Sequence, residues 1–252
     1  MAIILIGNDF ASQVYVNNKI NACDTVGIKS LKYDLSENVT LTELLSLINT
    51  LNKDNSVDGI LIQLPIPKHL NKELVINSVN YKKDVDGLCS RNLGALLSGN
   101  PNIRPCTSSG VMHILDNLNT DFLGKHVVVI GASNLVGKPM AIELINRFAT
   151  VTICNKETIN LNLISSTADI VIVAIGQPRF IKRNYIKDSA IVIDIGINRD
   201  DEDNICGDVD FDDVIDRVSY ITPVPGGVGK LTVAMLMKNT VLCFQNNIYN
   251  VV

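Results

Sequence analysis

The sequence has no tryptophan, few aromatic residues and no excess of positive charge. Aromatic residues make up 5% of the 252 residues, and the formal net charge is −4 at pH 7. Lysines and arginines are scattered along the chain, so we predict no basic surface that would hold the phosphates of a nucleic acid. Apolar residues make up 46% and charged residues 19%, which indicates a globular protein of one large or two modest domains.

Patterns typical of metal sites and redox motifs are also missing. The six cysteines include no C-x-x-C pair, and the three histidines lack the spacing of zinc ligands. We therefore expect no metal, and we expect the cysteines to be small core residues in a reducing compartment. They are Cys23, Cys89, Cys106, Cys154, Cys206 and Cys243.

No long hydrophobic run is present either. The opening residues, MAIILIGNDF, are apolar but short and carry no basic region. No apolar run approaches the roughly 18 residues of a membrane-spanning helix. The sequence therefore predicts neither a signal peptide nor a membrane partner, and we expect a cytoplasmic protein.

What the sequence does contain is a regular alternation of short apolar runs and amphipathic stretches. Strands are predicted at 2–7, 29–35, 57–65, 125–131, 149–155, 168–176, 189–197 and 218–224. Helices are predicted at 11–27, 40–54, 108–119, 137–148 and 231–247. Gly27 is predicted to stop the first of these helices and Thr40 to cap the second. The alternation predicts an α/β fold of two lobes with parallel sheets.

The segment TPVPGGVGKLT (222–232) looks at first like a loop that binds nucleoside triphosphates. That motif requires a glycine at position 224 and a Ser or Thr directly after Lys230. The chain has Val224 and Leu231 at these positions. Hydrolysis of a phosphoanhydride is therefore not predicted.

A second glycine-containing segment, VVVIGASNLVGKPM (127–140), follows a predicted strand and opens a predicted helix. Gly131 can make the tight turn, Ser133 can add a hydroxyl group, and amides at the start of the helix can bind a pyrophosphate. An ordinary β-α turn is the alternative interpretation. The next strand ends at Lys156 and Glu157, where such folds meet the adenosine ribose, and these opposite charges favour neither NADP nor NAD.

Polar residues in the first lobe form a second pattern. Tyr15 and Lys19 are one helical turn apart, which taken alone is more typical of an exposed polar pair. Gln63 ends a very apolar strand, however, and Asp84 and Asp86 lie in a loop with a glycine. Because open α/β sheets bind ligands at the carboxyl ends of their strands, this cluster indicates an active site. The segment RPCTSSGV (104–111) is predicted to turn into a helix capped by Thr107 or Ser108.

Taken together, these segments resemble the bifunctional methylenetetrahydrofolate dehydrogenase/cyclohydrolases. The resemblance covers residues 2 to about 245 and rests on YVNNKINACDTVGI, DGILIQLPIP, KKDVDGL, RPCTSSGV, VVVIGASNLVGKPM, ADIVIVAIGQPRFI, VIDIGIN and ITPVPGGVGKLT. It implies oxidation of 5,10-methylenetetrahydrofolate with NADP, or less favourably NAD, followed by hydrolysis of the methenyl product to 10-formyltetrahydrofolate. It also implies a homodimer.

The resemblance further implies the lobes and their residues. The substrate lobe is expected at 1–113 with the C-terminal helix 231–252, and the Rossmann-like dinucleotide-binding lobe at 114–230. Lys19, Gln63 and Tyr15 are expected to be catalytic, and the substrate is expected to meet Tyr15, Asp86, Gly226 and Gly227. The expected cofactor-binding residues are Gly131, Ala132, Ser133, Val136, Lys156, Gly176, Ile197 and Thr232.

This chain differs from many members of that family at several positions. It begins at the first strand, so we expect it to lack the helix that precedes that strand in most members. Ala132 stands where many members carry an arginine for the 2′-phosphate, and Lys156 is expected to compensate. Thr232 is predicted to start the last helix.

Three alternatives to the bifunctional enzyme are open from the sequence. One is another two-lobe dehydrogenase, similar to shikimate dehydrogenase, although the segments PVPGGVG and QLP argue against it. A second is a binding or scaffold protein without activity, and the presence of Tyr15, Lys19, Gln63 and Asp86 argues against that. The third is an enzyme that has kept the dehydrogenase step and lost the hydrolysis.

Overall fold

A computed structural model describes residues 1–249 of the chain, and its residues group into two compact units. The first unit consists of Met1–Cys106 and the chain from Val233 onward, and the second is Thr107–Thr232. Residues 107–113, predicted for the first lobe, group with the second unit because Val111 and Met112 pack in its core.

The first unit is built around a three-stranded parallel sheet in the order β2-β1-β3. Its strands are β1 (Ala2–Ile6), β2 (Leu31–Leu35) and β3 (Ile60–Ile62). Its helices are α1 (Phe10–Thr25), α2 (Leu41–Lys53), α3 (Lys72–Ser78) and α4 (Ser90–Leu97). β1 is buried at all five positions, as expected for the centre of a sheet with apolar residues packed on both faces.

The ends of α1 and α2 confirm the predicted signals. Thr40 caps α2: its Oγ1 accepts from the backbone N–H of Glu43 at 3.2 Å, and the Glu43 carboxylate accepts from the N–H of Thr40 at 2.9 Å. Gly27, with φ of +75°, follows the end of α1.

The second unit contains a five-stranded parallel sheet in the order β10-β7-β6-β4-β5. Its elements, in chain order, are α5 (Cys106–Asn117), β4 (His126–Ile130), α6 (Gly137–Ile145), β5 (Thr150–Cys154), α7 (Leu161–Ser165), β6 (Ile170–Val173), a 3-10 turn (Arg183–Tyr185), β7 (Ile191–Asp194), β8 (Asn198–Arg199), β9 (Ile205–Cys206), α8 (Phe211–Val214) and β10 (Tyr220–Ile221). The strands β8 and β9 form a small antiparallel hairpin. The predicted α/β class and the parallel sheets are confirmed.

Two predicted helix starts are wrong. The last helix, α9 (Val228–Tyr249), begins four residues before Thr232, because buried Val228 anchors its first turn directly after Gly227. Thr107 and Ser108 lie inside α5 rather than capping it, because that helix begins at Cys106, directly after Pro105.

Candidate active site

The centre of the polar cluster in the first unit is a hydrogen bond between Lys19 and Gln63. Tyr15 and Lys19 lie one turn apart on α1, and the Lys19 Nζ donates to Gln63 Oε1 at 2.9 Å. Gln63 follows β3 and is only 7% exposed, and its Nε2 donates to the Leu64 carbonyl at 2.6 Å. Because Gln63 Nε2 bonds to the Leu64 carbonyl, the amide oxygen of Gln63 faces Lys19. At this position Lys19 therefore has a neutral acceptor instead of a carboxylate.

Asp86 lies close to the same lysine. Asp86 as a whole retains some exposed surface, but desolvation is the largest influence on its carboxyl group and raises its pKa. The positive charge of Lys19 and a hydrogen bond to Cys106 lower the pKa of Asp86 by smaller amounts. The structure therefore brings Lys19, Gln63 and Asp86 together, as the sequence predicted, while Tyr15 stays 37% exposed on the same helix.

Asp84, the other acidic residue of this loop, has a structural role. Its Oδ1 accepts from the N–H of Gly87 at 3.0 Å, and its Oδ2 accepts from the N–H of Cys89 at 2.8 Å and from Asn92 Nδ2 at 2.9 Å. The side chain is 5% exposed. Asp84 thus fixes the loop that carries Asp86, a division of roles that the spacing of the two residues did not predict.

The sequence analysis missed one residue that supports this cluster. Asn239 of α9 donates from its Nδ2 to the Val85 carbonyl at 2.9 Å and to the Arg104 carbonyl at 2.8 Å. The same nitrogen lies 3.4 Å from Cys106 Sγ. Asn239 therefore joins the two segments that flank Asp86, and no local pattern could relate residues so far apart in the chain.

All six cysteines are free and buried, as predicted. Cys106 is the one beside the polar cluster, and burial raises the pKa of its thiol well above the usual value, with the neighbouring Asp86 carboxylate adding to the rise. This thiol therefore stays protonated at neutral pH and does not serve as a nucleophile.

In the second unit, the glycine loop between β4 and α6 fits a dinucleotide. Gly131 has φ of +122°, and a Cβ at this position would run into the Ala174 carbonyl, while one at Gly137 would run into the Gly131 carbonyl. No side chain caps the start of α6 at Val136, but the N–H of Lys138 donates to the Ser133 carbonyl at 3.0 Å and Pro139 has no N–H. The N–H of Gly137 is therefore the one in this first turn that remains for another acceptor. Ala132 and Ser133 form the turn between these points, and Ser133 Oγ accepts from the N–H of Val136 at 3.1 Å. A pyrophosphate is the anion such a helix start accommodates.

Four more predicted residues belong to loops of the second unit. Gly176, with φ of +67°, follows β6, and Ile197 follows β7 and is 48% exposed. Gly226 and Gly227 lie just before α9, and Gly226 has φ of +113°. The carboxyl ends of β6 and β7 thus carry two of the predicted cofactor residues, at the edge where open α/β sheets bind ligands.

The remaining two predicted residues differ in exposure. Thr232 is part-buried inside α9, where its Oγ1 donates to the Val228 carbonyl at 3.2 Å. Lys156 lies after β5 with its side chain 88% exposed, and its Nζ is 3.5 Å from Glu157 Oε1. Such an exposed ion pair is weak, so Lys156 remains able to meet an anion.

Comparison with known proteins identifies the family. The catalytic-domain model of the tetrahydrofolate dehydrogenase/cyclohydrolases matches residues 1–86, and the NAD(P)-binding-domain model of the same enzymes matches residues 105–248. The chain belongs to the tetrahydrofolate dehydrogenase/cyclohydrolase family. The resemblance drawn from the sequence segments is confirmed.

Relatives in this family are similar over most of their length. The chain is 53% identical over 241 residues to the bifunctional protein FolD of Agathobacter rectalis, covering 96% of this chain and 86% of that protein. It is 52% identical over 248 residues to the FolD of Ruthia magnifica subsp. Calyptogena magnifica, covering 98% and 90%.

Solved structures of the same family are also similar. The bifunctional FolD methylenetetrahydrofolate dehydrogenase/cyclohydrolase of Campylobacter jejuni has a TM-score of 0.95 at 50% identity, covering 97% of this chain and 87% of that one. The Trypanosoma brucei FolD, solved with NADP and an inhibitor, has a TM-score of 0.94 at 37% identity, with 98% and 86% covered.

Shikimate dehydrogenase of Thermus thermophilus shares the fold alone, with a TM-score of 0.61 at 11% identity over 98% of this chain and 93% of that one. The matches to both family models, and not the fold, therefore separate this chain from that class of two-lobe dehydrogenase. Within residues 1–249, no helix combines the length and apolar character that crossing a membrane requires.

Proposed function

We propose that this chain oxidises 5,10-methylenetetrahydrofolate to the 5,10-methenyl form with NADP and then hydrolyses the product to 10-formyltetrahydrofolate. The observation that carries this proposal is the Lys19 Nζ–Gln63 Oε1 hydrogen bond of 2.9 Å, within the part of the chain that matches the family's catalytic domain. Both reactions belong to one-carbon metabolism. The first unit supplies the side chains that bind the folate, and the second binds the nicotinamide cofactor.

In the hydrolysis step, Lys19 moves the proton. Water adds to the methenyl carbon, which carries the positive charge shared with its two nitrogens, and Lys19 in its amine form accepts the proton that the water loses. The lysine then returns that proton to N5 as the bond between N5 and the carbon breaks, and the hydroxyl group of the adduct releases its own proton to solvent. This leaves the formyl group on N10. Gln63 orients the Lys19 side chain through a neutral amide oxygen, which adds no negative charge to that of the nearby Asp86.

Two side chains bind the folate in this proposal. Asp86 accepts hydrogen bonds from the donor edge of the pterin, and a carboxylate makes such bonds about twice as strong as neutral ones. Tyr15, whose ring is 37% exposed on α1, packs on the aromatic part of the substrate. Gly226 and Gly227 offer backbone without side chains for a close approach of the substrate.

In the dehydrogenase step, bound NADP supplies the acceptor for the hydride. The loop of Gly131, Ala132 and Ser133 and the N–H of Gly137, directly after Val136 at the start of α6, would hold its pyrophosphate. Lys156 meets the 2′-phosphate, which favours NADP over NAD. The remaining cofactor contacts are assigned to Gly176, Ile197 and Thr232.

We also propose a cytoplasmic homodimer. β5 is the edge strand of the second unit's sheet, and its Ile153 is 43% exposed. Ile145 and Phe148, on the segment that leads into β5, are 49% and 77% exposed. An edge strand with exposed apolar side chains is a surface that a second copy can cover.

The test is to mix the purified chain with 5,10-methylenetetrahydrofolate and either NADP or NAD, and to follow the reduced cofactor and the methenyl product by absorbance. Turnover that is faster with NADP is the expected result. A folded sample that reduces neither cofactor would overturn the proposed dehydrogenase. Equal rates with both cofactors would overturn the role of Lys156.

A further inference from the structure

A fully buried carboxylate lies beneath the turn that follows β6. Asp208, between β9 and α8, has no exposed surface. Its Oδ2 accepts from the N–H groups of Ile175 at 2.7 Å and Gly176 at 3.1 Å, and its Oδ1 accepts from the N–H of Gln177 at 2.7 Å. The Asn198 side chain adds a fourth donor to Oδ1 at 2.8 Å. Three consecutive backbone amides of one turn therefore bind a single side chain.

This arrangement determines which way the turn presents its carbonyl groups. In a trans peptide, the N–H of one residue and the C=O of the residue before it point in opposite directions. The carbonyls of Ala174, Ile175 and Gly176 consequently point away from Asp208. The N–H groups of the turn therefore face the buried Asp208, and its carbonyl groups lie on the opposite side of the turn.

A second buried carboxylate holds Asp208 in place. Asp194, at the end of β7, accepts from the N–H of Asp208 at 3.1 Å and from the N–H of Val209 at 2.9 Å. A Cβ at Gly207 would run into Asp194 Oδ2, and one at Gly196 would run into Asp208 Cγ. Both carboxylates thus pack directly against glycine backbone. Together with their hydrogen bonds, these contacts join the loops after β6 and β7 to the segment before α8.

We propose that Asp208 is a positioning residue for the dehydrogenase step, because it holds residues 174–177 in the shape that receives the nicotinamide end of the cofactor. This rests on the proposed function, which places Gly176 and Ile197 at the cofactor. The outward carbonyls of Ile175 and Gly176 are acceptors suited to the carboxamide NH₂ of a nicotinamide. Asp208 does not touch the ligand, and it acts through the turn.

The test is Asp208→Asn, which keeps the shape of the side chain but accepts at only one of its two terminal atoms. Its NH₂ group would face two of the four N–H donors, so the turn must move. We expect the KM and the Kd for NADP to rise by at least about tenfold, because the turn loses hydrogen bonds that hold it in the shape that receives the cofactor. Hydrolysis of 5,10-methenyltetrahydrofolate, which requires no nicotinamide, should stay within about twofold of the unaltered chain.

A matched control is Asp169→Asn. Asp169 precedes β6 at the opposite end of that strand and accepts from the N–H of His126 at 3.0 Å and from Lys187 Nζ at 2.6 Å. Replacing this carboxylate should lower the midpoint temperature of thermal unfolding but leave the Kd for NADP unchanged. If Asp208→Asn does not fold, Asn198→Ala removes one donor to the same carboxylate and should raise that Kd by about threefold to tenfold.

The outcomes separate the two proposals. No reduction of either cofactor by the unaltered chain would overturn the proposed function itself. An active unaltered chain whose Asp208→Asn variant binds NADP equally well would overturn only the positioning role. Equal effects of Asp208→Asn and Asp169→Asn on the Kd for NADP, or equal losses of both activities in Asp208→Asn, would reduce Asp208 to a general support of the fold.

Discussion

Replacing Lys19 with methionine should separate the chemistry of hydrolysis from the stability of the fold. Methionine retains most of the length of the side chain but cannot transfer a proton. Positioned acid–base groups accelerate reactions by about 10²–10⁴-fold, so we expect the cyclohydrolase rate to fall by at least a hundredfold.

The structural cost of Lys19→Met should be small by comparison. Gln63 Oε1 would lose the donor that lies 2.9 Å away, and Gln63 is 7% exposed. A buried acceptor without its partner costs about 1–3 kcal/mol. Because Lys19 is only half-buried and water can reach its end of the bond, we expect a loss of about 1 kcal/mol in the free energy of unfolding.

The assay is the decay of 5,10-methenyltetrahydrofolate absorbance, measured beside chemical denaturation. Lys83→Met is the matched control, because Lys83 Nζ donates to the Leu51 and Asp54 carbonyls at the end of α2, at 3.0 and 2.7 Å. This control should lose stability and keep its cyclohydrolase activity. A Lys19→Met variant with cyclohydrolase activity within twofold of the unaltered chain would refute the role of Lys19.

Three further predictions concern the cofactor, pH and the fold. Lys156→Ala should raise the KM for NADP more than the KM for NAD in steady-state assays, and equal changes would contradict a contact with the 2′-phosphate. Burial raises the pKa of Asp194 from 3.8 to about 6, against the opposing effect of three backbone N–H groups, so the folded state favours the protonated carboxyl. Its contribution to stability is therefore complete below about pH 4 and should decline by about 3 kcal/mol as the pH rises to about 6. Denaturation of the unaltered chain and of Asp194→Asn across this range checks the decline, and a stability difference that does not vary with pH would contradict it. Thr40→Ala removes the cap of α2 and should cost about 1 kcal/mol in urea denaturation, whereas Thr25→Ala, at the exposed end of α1, should cost less.

Local patterns predicted the parts of the fold that depend on local chemistry. Strong periodicity and the cap at Thr40 located α2, and Gly27 located the end of α1, because these signals act within a few residues. No helix was predicted between residues 54 and 108, where the stretch 81–110 is rich in turn residues, yet α4 lies within that stretch. Its Asn92 is buried and donates to the Tyr81 carbonyl and to Asp84, a tertiary use of a residue that usually marks a loop.

The residues of the candidate site were predictable where the local sequence around a residue also indicates the element on which it lies. Lys19 was predicted from a helix, Gln63 from the end of a strand and Asp86 from a loop with a glycine, and the three lie together in the structure. The supports of the site were not predictable, because each joins distant segments: Asn239 reaches Val85 and Arg104, and Asp208 reaches the turn after β6. A single sequence shows such residues only as ordinary polar side chains.

The most direct test of the whole account is to incubate the purified chain with 5,10-methylenetetrahydrofolate and NADP and to measure 10-formyltetrahydrofolate and NADPH together. The account predicts that both products form and that Lys19→Met still forms NADPH while the methenyl intermediate accumulates. NADPH without 10-formyltetrahydrofolate from the unaltered chain would show an enzyme that has lost hydrolysis, and neither product from a folded sample would contradict the account entirely.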